Sequence, residues 1–392
     1  MSFSSFDHQC MATALKLAAK GLFSPHPNPR VGCVIAGGQN ILGRGWHEFA
    51  GGPHAEIVAI RDAGQDVKGA TAYITLEPCS HHGRTPPCTE ALLSAGISRI
   101  VVASADPNPQ VNGQGLQQLR NAGLAVATGL MAGEAEALNP GFFMRMRKGR
   151  PWVRVKTAIS LDGRTALVNG DSKWISSEAS RRDVQKWRAR SSAVLTGIGT
   201  VLADNPTMNV RLDSHHGQNW QPGQHEQNSQ LGQQGQGGQD GQARVRQPLR
   251  IIVDSRWRTP PGSRILADPA TAIIAGTEDV AVPAELEVTG AQCLSLPAVK
   301  GRVDLVALLC RLAEMELNEI QVEAGARLCG ALLQARLVDE ILIYQAPQLL
   351  GDGGAGPFAF GPLESMEQRT HLKLLETRRF GNDWRLRLEP QY

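Results

Sequence analysis

Residues 71–92 read TAYITLEPCSHHGRTPPCTEAL, and 21 residues separate His54-Ala55-Glu56 from Pro78. TAYITLEP is rich in β-formers and closed by a proline, which predicts a strand. The apolar spacing from about Thr89 to a stop at Gly96 predicts a helix. A strand feeding directly into a helix is the repeating unit of an α/β fold. His54 opens another predicted helix, which runs to about Ala63 and ends at Gly64. Cys79 and Cys88 flank the start of the helix that follows the strand, where the positive end of a helix dipole favours thiolate over thiol. The chain thus offers one imidazole, two thiolates and the Glu56 carboxylate. Zinc binds nitrogen and sulfur tetrahedrally, and a catalytic zinc keeps three protein ligands and one open position. His54, Cys79 and Cys88 supply three. Glu56, two residues from His54, is placed to lean over the open position, which suits a proton shuttle. In the alternative, His81 or His82 completes a closed structural site, and Glu56 then has no use beside it.

Working outward, Met11, Ala14, Leu15 and Ala18 form a helical stripe stopped by Gly21, and VGCVIA, GGQN and ILGRGW form a hairpin. After the strand RIVVASA come a helix, a short strand and a single helix EAEALNPGFFMRMR. This first half, residues 1–147, reads as one sheet between helices. RKGRPW at 147–152 has the charge, Gly and Pro of a linker. A second α/β unit then spans 151–392: strand WVRVKTAIS, a helix from about Ser177 to Arg190, strands AVLTG, LRIIVDS and TAIIAG, a helix around VALLCRLAEM, strand EIQVEAG, a helix over 326–337 and strand EILIYQAPQLLG. LKLLETRRFGNDWRLRLE predicts a closing hairpin, so the sheet is expected to be mixed. Residues 214–248, dominated by Gln and Gly, have almost nothing to bury and read as a disordered surface insertion; His215, His216 and His225 offer a metal-binding alternative there.

A length of 392 residues implies two domains, and 42% hydrophobic with 20% charged content is ordinary for a globular enzyme. Forty Lys+Arg against 37 Asp+Glu leave +3, too balanced to predict nucleic-acid binding. The first residues lack a basic region followed by an apolar core, and no window approaches the roughly 20 apolar residues of a membrane span. A soluble, unexported, cytoplasmic protein is expected. Seven scattered cysteines fit no disulfide framework and point to a reducing compartment. Cys33, Cys310 and Cys329 lie in apolar runs and read as small core residues.

The order H-x-E, P-C, C over residues 1–147 resembles the cytidine and deoxycytidylate deaminase superfamily, in which the glutamate shuttles protons for attack on a ring carbon and departure of ammonia. One departure is PC-x8-C, where that superfamily has the shorter PCxxC. PHPNPRVGCVI, HAE, TLEPCSHHGRTPPCTEAL and ADPNPQVNGQG, in this order, resemble the bifunctional deaminase-reductase family of riboflavin biosynthesis, and this likeness covers both halves. It implies a cytidine-deaminase-like α/β/α sandwich followed by a dihydrofolate-reductase-like α/β domain. It also implies zinc on His54, Cys79 and Cys88, Glu56 as shuttle, and a diaminopyrimidinone bearing a phosphoribosylamino group as substrate. Asn28 and His81-His82-Gly83-Arg84 would line the pyrimidine pocket; alternatively Asn28, between prolines, is a turn residue.

In the second half the likeness rests on VKTAISLDGRTA, SKWISSEASRRDVQKWRA, TVLADNPTMNVR, IIVDS and VEAGARLCGALLQARLVDEIL. Gly197-Ile198-Gly199 follows a strand but lacks a third glycine in register, so the residues alone carry no dinucleotide fingerprint. The resemblance implies NADPH contacts from Ala158, Trp174, Thr200, Asp204, Ser255 and the run Gly325, Ala326, Arg327, Leu328, Cys329, Gly330 and Ala331. Ser172, Arg188, Met208, Arg211 and Glu323 would face the substrate, with Lys156 nearby. By composition alone Arg188 reads as a solvated charge and Trp174 as core or rim. A homodimer follows from the family. Two rival readings stay open on the residues: a deaminase of nucleotides or tRNA, and a zinc-stabilised scaffold without catalysis.

Overall fold

The computed structural model describes residues 3–23, 26–64, 67–80, 86–109, 111–211 and 246–392. The His81–Arg84 segment and residues 214–245 of the Gln/Gly insertion, with its three histidines, lie outside the described residues.

Helix α1 (Ser5–Lys20) opens with a reciprocal cap, in which the Asp7 N–H bonds the Ser4 hydroxyl and the Ser4 N–H bonds the Asp7 carboxylate. The hairpin β1 (Gly32–Gly37) and β2 (Asn40–Trp46) follows as its sequence predicts. Next come α2 (Ala55–Ala63), β3 (Thr71–Leu76), α3 (Cys88–Ser94), β4 (Arg99–Ser104), α4 (Gln114–Asn121) and β5 (Ala125–Thr128). The sheet order is β2-β1-β3-β4-β5, with β3, β4 and β5 parallel and β1 antiparallel to both neighbours. Side chains alternate between its faces. Cys33 and Ile35 pack with Ala55, Leu92 and Leu116 of α2–α4, while Val34 and Ala36 pack with Met11, Ala14 and Ala135 on the other face. Gly45 lets α2 lie on β2: a Cβ there would stand 2.2 Å from the Ala55 carbonyl oxygen.

The single helix expected over EAEALNPGFFMRMR is two, α5 (Ala132–Leu138) and α6 (Pro140–Lys148). Proline continues no preceding helix but suits a first turn, so the chain breaks at Asn139 and restarts at Pro140.

After Gly149, β6 (Trp152–Ile159), α7 (Glu178–Arg190), β7 (Ala193–Gly197), α8 (Ile198–Asp204), β8 (Leu249–Val253), β9 (Ala272–Thr277), α9 (Ala284–Glu287) and β10 (Gln292–Leu296) follow. A small ribbon, β11 (Ala298–Val299) with β12 (Arg302–Val303), leads to α10 (Leu305–Glu314), β13 (Glu319–Val322), α11 (Ala326–Gln334), β14 (Glu340–Gln345), β15 (His371–Phe380) and β16 (Asp383–Gln391). Nine strands order as β10-β9-β8-β7-β13-β6-β14-β16-β15. All are parallel through β14, and the last hairpin is antiparallel, as expected. Helix α11 ends three residues before the expected 337.

All seven cysteines are free. Cys33 and Cys329 are core, but Cys310 is exposed, against expectation. Leu308, Leu309, Leu312 and Ala313 of α10 face inward, which turns Cys310 to the outer side of an amphipathic helix. No described helix is long and apolar enough to cross a membrane.

Candidate active sites

The first half gathers its chemistry beyond the end of the central strand β3. His54 is the N-cap of α2, Cys79 follows β3 by three residues, and Cys88 is the first residue of α3. His54 Nδ1 lies 3.1 Å from Cys88 Sγ and 3.6 Å from Cys79 Sγ. The three donor atoms are within 4.8 Å of one another. A tetrahedral zinc with N and S ligands has N-to-S edges of about 3.6 Å, so the donors present fit this ion. The Cys88 N–H bonds Cys79 Sγ at 3.3 Å, as expected for thiolate at a helix start. The Cys88 thiol's hydrogen bond, opposed by burial and aided by His54, holds Cys79 down at about 4, and raises Cys88 in return. A cation held by the trio would favour both cysteines as thiolates. The Cys79 hydrogen bond raises His54.

Glu56 is buried on the first turn of α2, and burial raises its carboxyl, with His54 opposing. A carboxyl raised in this way holds and releases a proton more readily near neutral pH than a solvated one.

His47, which sequence reasoning missed, is buried against this centre: its ring packs edge-on to His54 with centroids 5.4 Å apart. Its Nδ1 bonds the Pro53 carbonyl at 3.1 Å, and Nε2 lies 3.0 Å from Asn28 Nδ2. An amide nitrogen only donates, so Nε2 accepts and Nδ1–H donates: His47 is neutral, in agreement with the lowering that burial imposes on it. Its sequence signal is slight, one histidine closing the β2 pattern.

The second constellation lies where α/β sheets bind ligands, at the carboxyl ends of parallel strands. The structure brings together Arg188 of α7, Glu323 after β13 and Met208. Arg188 Nε and Nη2 grip the two Glu323 oxygens at 2.7 and 2.8 Å, Nη1 donates to the Asn209 carbonyl at 2.9 Å, and Nη2 is 3.8 Å from Met208 Sδ. Arg188 is 8% exposed, which corrects its compositional reading as a solvated charge. Burial lowers Lys156, whose charge Glu323 favours and Arg188 opposes.

Ala158 lies near the end of β6, Thr200 on α8 and Ser255 just past β8, all half-buried. The Ser255 hydroxyl accepts the Val303 N–H at 3.1 Å, and Asp204 pairs with Lys173 at 3.8 Å. Gly325 caps α11, with Ala326, Arg327 and Leu328 in its first turn. Farther along, Cys329 and Gly330 face inward, Gly330 so tightly that a Cβ would meet the Ala359 oxygen at 2.2 Å; Ala331 is half-buried. Ser172 is half-buried, and the exposed Arg211 uses its backbone N–H on Gln185. Trp174 is 70% exposed, a rim position, with the Arg181 guanidinium 4.4 Å above its ring.

Both halves match known proteins. Residues 4–104 match the family described as the cytidine and deoxycytidylate deaminase zinc-binding region, and residues 151–386 match the RibD C-terminal domain. The chain is 48% identical to the riboflavin biosynthesis protein RibD of Escherichia coli over 96% of this chain and 97% of the relative. It is 41% identical to that of Haemophilus influenzae over 100% and 99%. Among solved structures, Acinetobacter baumannii RibD superposes with a TM-score of 0.85 at 42% identity, covering 98% of this chain and 99% of that one. The deaminase/reductase of Thermotoga maritima superposes with a TM-score of 0.81 at 30% identity over 98% and 99%. The nine-stranded half has the dihydrofolate-reductase-like fold of the reductase domain. The chain therefore belongs to the RibD family, the bifunctional zinc-dependent deaminases and NADPH-dependent reductases of riboflavin biosynthesis.

Proposed function

We propose that residues 1–147 deaminate and residues 151–392 reduce one phosphorylated pyrimidine in succession, with the residue roles given below. The observation that carries this is the trio His54, Cys79 and Cys88 with the buried Glu56 beside it. Bound to that trio, zinc supplies a Lewis acid that ionises water near neutral pH. Glu56 takes the proton of the attacking water and passes it to the departing amino group, so that water enters and ammonia leaves. The buried, neutral His47 and Asn28 orient the 2,5-diamino-6-(5-phosphoribosylamino)pyrimidin-4(3H)-one ring, and the resemblance assigns His81, His82, Gly83 and Arg84 to the same pyrimidine pocket.

In the second half NADPH supplies the reducing equivalents that open the ribosyl group to ribityl. Ala158, Trp174, Thr200, Asp204, Ser255 and the Gly325–Ala331 turn hold the cofactor, the α11 start offering backbone N–H groups to a phosphate. Ser172, Arg188, Met208, Arg211 and Glu323 hold the substrate, Lys156 adding charge beside them. Within the 325–331 run, Gly325 to Leu328 make the contacts and Cys329 and Gly330 support the helix from beneath. The partner is this small molecule, not nucleic acid, and the working compartment is the cytoplasm. The chain works as a homodimer; Leu372, Leu374 and Leu375, exposed on the edge strand β15, favour pairing there.

The test is to incubate zinc-loaded protein with the diaminopyrimidinone, with and without NADPH, and to follow product masses. Exchange of an amino group for oxygen without cofactor, then gain of two hydrogens with it, is expected. No reaction on zinc-replete protein refutes the catalytic reading and favours the scaffold.

A further inference from the structure

His26-Pro27-Asn28-Pro29-Arg30 belongs to the first half, yet the second half holds it. Its two prolines lack N–H groups, so neither a helix nor a strand ladder can fix this stretch, and other partners must. Arg246 Nη1 donates to the His26 carbonyl at 3.1 Å, and Asn318 Nδ2 donates to the Pro27 carbonyl at 2.8 Å. Arg30 donates to Glu319 Oε1 at 2.7 Å and to the Arg190 carbonyl at 3.4 Å. The Ser192 hydroxyl oxygen accepts the N–H groups of Asn318 and Glu319, at 3.0 and 3.1 Å, which leaves its own hydrogen for His26 Nδ1 at 3.1 Å. Inside the first half, Asn139 grips the Arg30 backbone from both sides, accepting its N–H at 2.7 Å and donating to its carbonyl at 2.9 Å. Asn28, in the middle, directs its side chain elsewhere, to His47 at 3.0 Å.

The anchor is rigid. Asn318 and Glu319 sit at the start of β13, between β6 and β7 in the nine-stranded sheet, and the Trp152 N–H bonds the Asn318 carbonyl at 2.8 Å. The far end of β13 leads to Glu323 of the other constellation, four residues and about 13 Å away. One strand therefore braces both sites.

We propose that Asn318 and Arg30 are positioning residues for deamination: the reductase half clamps residues 26–30 and so fixes Asn28 against His47. This rests on the reading of Asn28 as a pyrimidine-pocket residue. Arg30 serves as a second probe: Glu319 keeps Arg154 at 3.2 Å and Arg190 at 2.9 Å when Arg30 is removed, while inside the first half the Leu138 and Leu22 carbonyls lose its donors at 2.7 and 3.3 Å.

The experiment uses the full zinc-loaded chain. Deaminase kcat and KM are measured without NADPH for Asn318→Leu, Arg30→Met, Arg30→Lys, Asn28→Ala and the double variant Asn28→Ala/Asn318→Leu. Zinc content and NADPH-dependent turnover of separately supplied deaminated substrate are read on the same preparations. The expected result is a drop of at least tenfold in deaminase kcat/KM for Asn318→Leu and Arg30→Met. Zinc should stay at one per chain, reductase turnover within twofold, and Arg30→Lys should recover part of the loss. The double variant should be no worse than Asn28→Ala alone, since Asn318 acts through Asn28. Additive losses, wild-type deamination by Asn318→Leu, or loss of zinc together with activity each overturn the clamp and leave the role of Asn28 standing. Wild-type deamination by Asn28→Ala removes the underlying reading, and the clamp with it. If Asn318→Leu does not fold, Arg30→Met takes its place in the same cycle.

Discussion

Glu77, two residues before the proposed zinc ligand Cys79, offers a measurable test of how that loop is held. Its buried carboxylate accepts four backbone N–H groups: Gly115 and Leu116 on Oε1 at 3.0 and 3.3 Å, and Asp106 and Gly113 on Oε2 at 3.1 and 2.9 Å. Glu77→Gln keeps one oxygen and turns the other acceptor into an NH2 group. With the amide oxygen in the place of Oε1, two donors keep their bonds, while those of Asp106 and Gly113 meet another donor. An orphaned buried donor costs about 1–3 kcal/mol, and these two are partly buried, so a total of about 2–4 kcal/mol is expected. With a urea dependence of about 2 kcal/mol per molar, the deaminase transition shifts down by about 1–2 M. The assay is an equilibrium urea titration of zinc-loaded protein, followed by circular dichroism and by zinc release to a chromogenic chelator. Before the transition, Glu77→Gln should retain its zinc and its reductase turnover. A midpoint shift below about 0.3 M refutes the reasoning, because it means that water or local rearrangement satisfies those donors.

Glu56→Gln should keep zinc and reductase turnover while deaminase kcat falls by about 10²–10⁴, the range for a general acid–base group; a fall below tenfold argues against the shuttle. Burial pushes the Glu323 carboxyl up, but Arg188 outweighs it and holds it at about 2 against an ordinary 4.5. A depressed folded value means that the pair's contribution, roughly 3 kcal/mol at most, is complete above pH 4.5 and is lost as pH falls from there toward 2. The stability gap between wild type and Arg188→Met, read by denaturant titration at several pH values, should close across that window, and a constant gap is inconsistent with the pairing. In native zinc-loaded protein a thiol reagent should label the exposed Cys310 at once, and Cys10, Cys33 and Cys329 only after unfolding, as peptide mapping by mass spectrometry will resolve.

The first half was legible because its chemistry sits at element boundaries that leave local marks. His54 and Cys88 each stand where a polar or thiol group meets the first turn of an amphipathic helix, and Gly21 and Gly64 end helices where the periodicity stops. Asn139-Pro140 was misread because the apolar spacing runs through the break, and only the proline signals it. Cys310 was misread for the opposite reason: an apolar run says that a helix is buried, but the phase of the helix decides which side is. His47 left no mark because its role comes from the packing of β2 against the start of α2, and no spacing in the sequence encodes that approach.

The second half shows a deeper limit. Arg188 and Glu323 are 135 residues apart, and composition reads Arg188 as a solvated charge. Only the parallel order β7-β13-β6 brings α7 over the end of β13 and joins these two charges in a buried bidentate pair. The same strand carries Glu319 at its other end, joined to Arg30 across 289 residues. EIQVE reads as an alternating strand with acidic ends, and nothing in that pattern distinguishes a solvated edge from a strand whose two carboxylates face arginines of different halves. Neutralising a buried carboxylate of this kind exposes the asymmetry: its arginines remain buried without a counter-charge, and breaking such a pair costs about 3–5 kcal/mol where a surface pair costs less than 1. The family's motif words persist as local chemistry, whereas the contacts that join the halves are properties of topology, and they become readable only once the strand order is known.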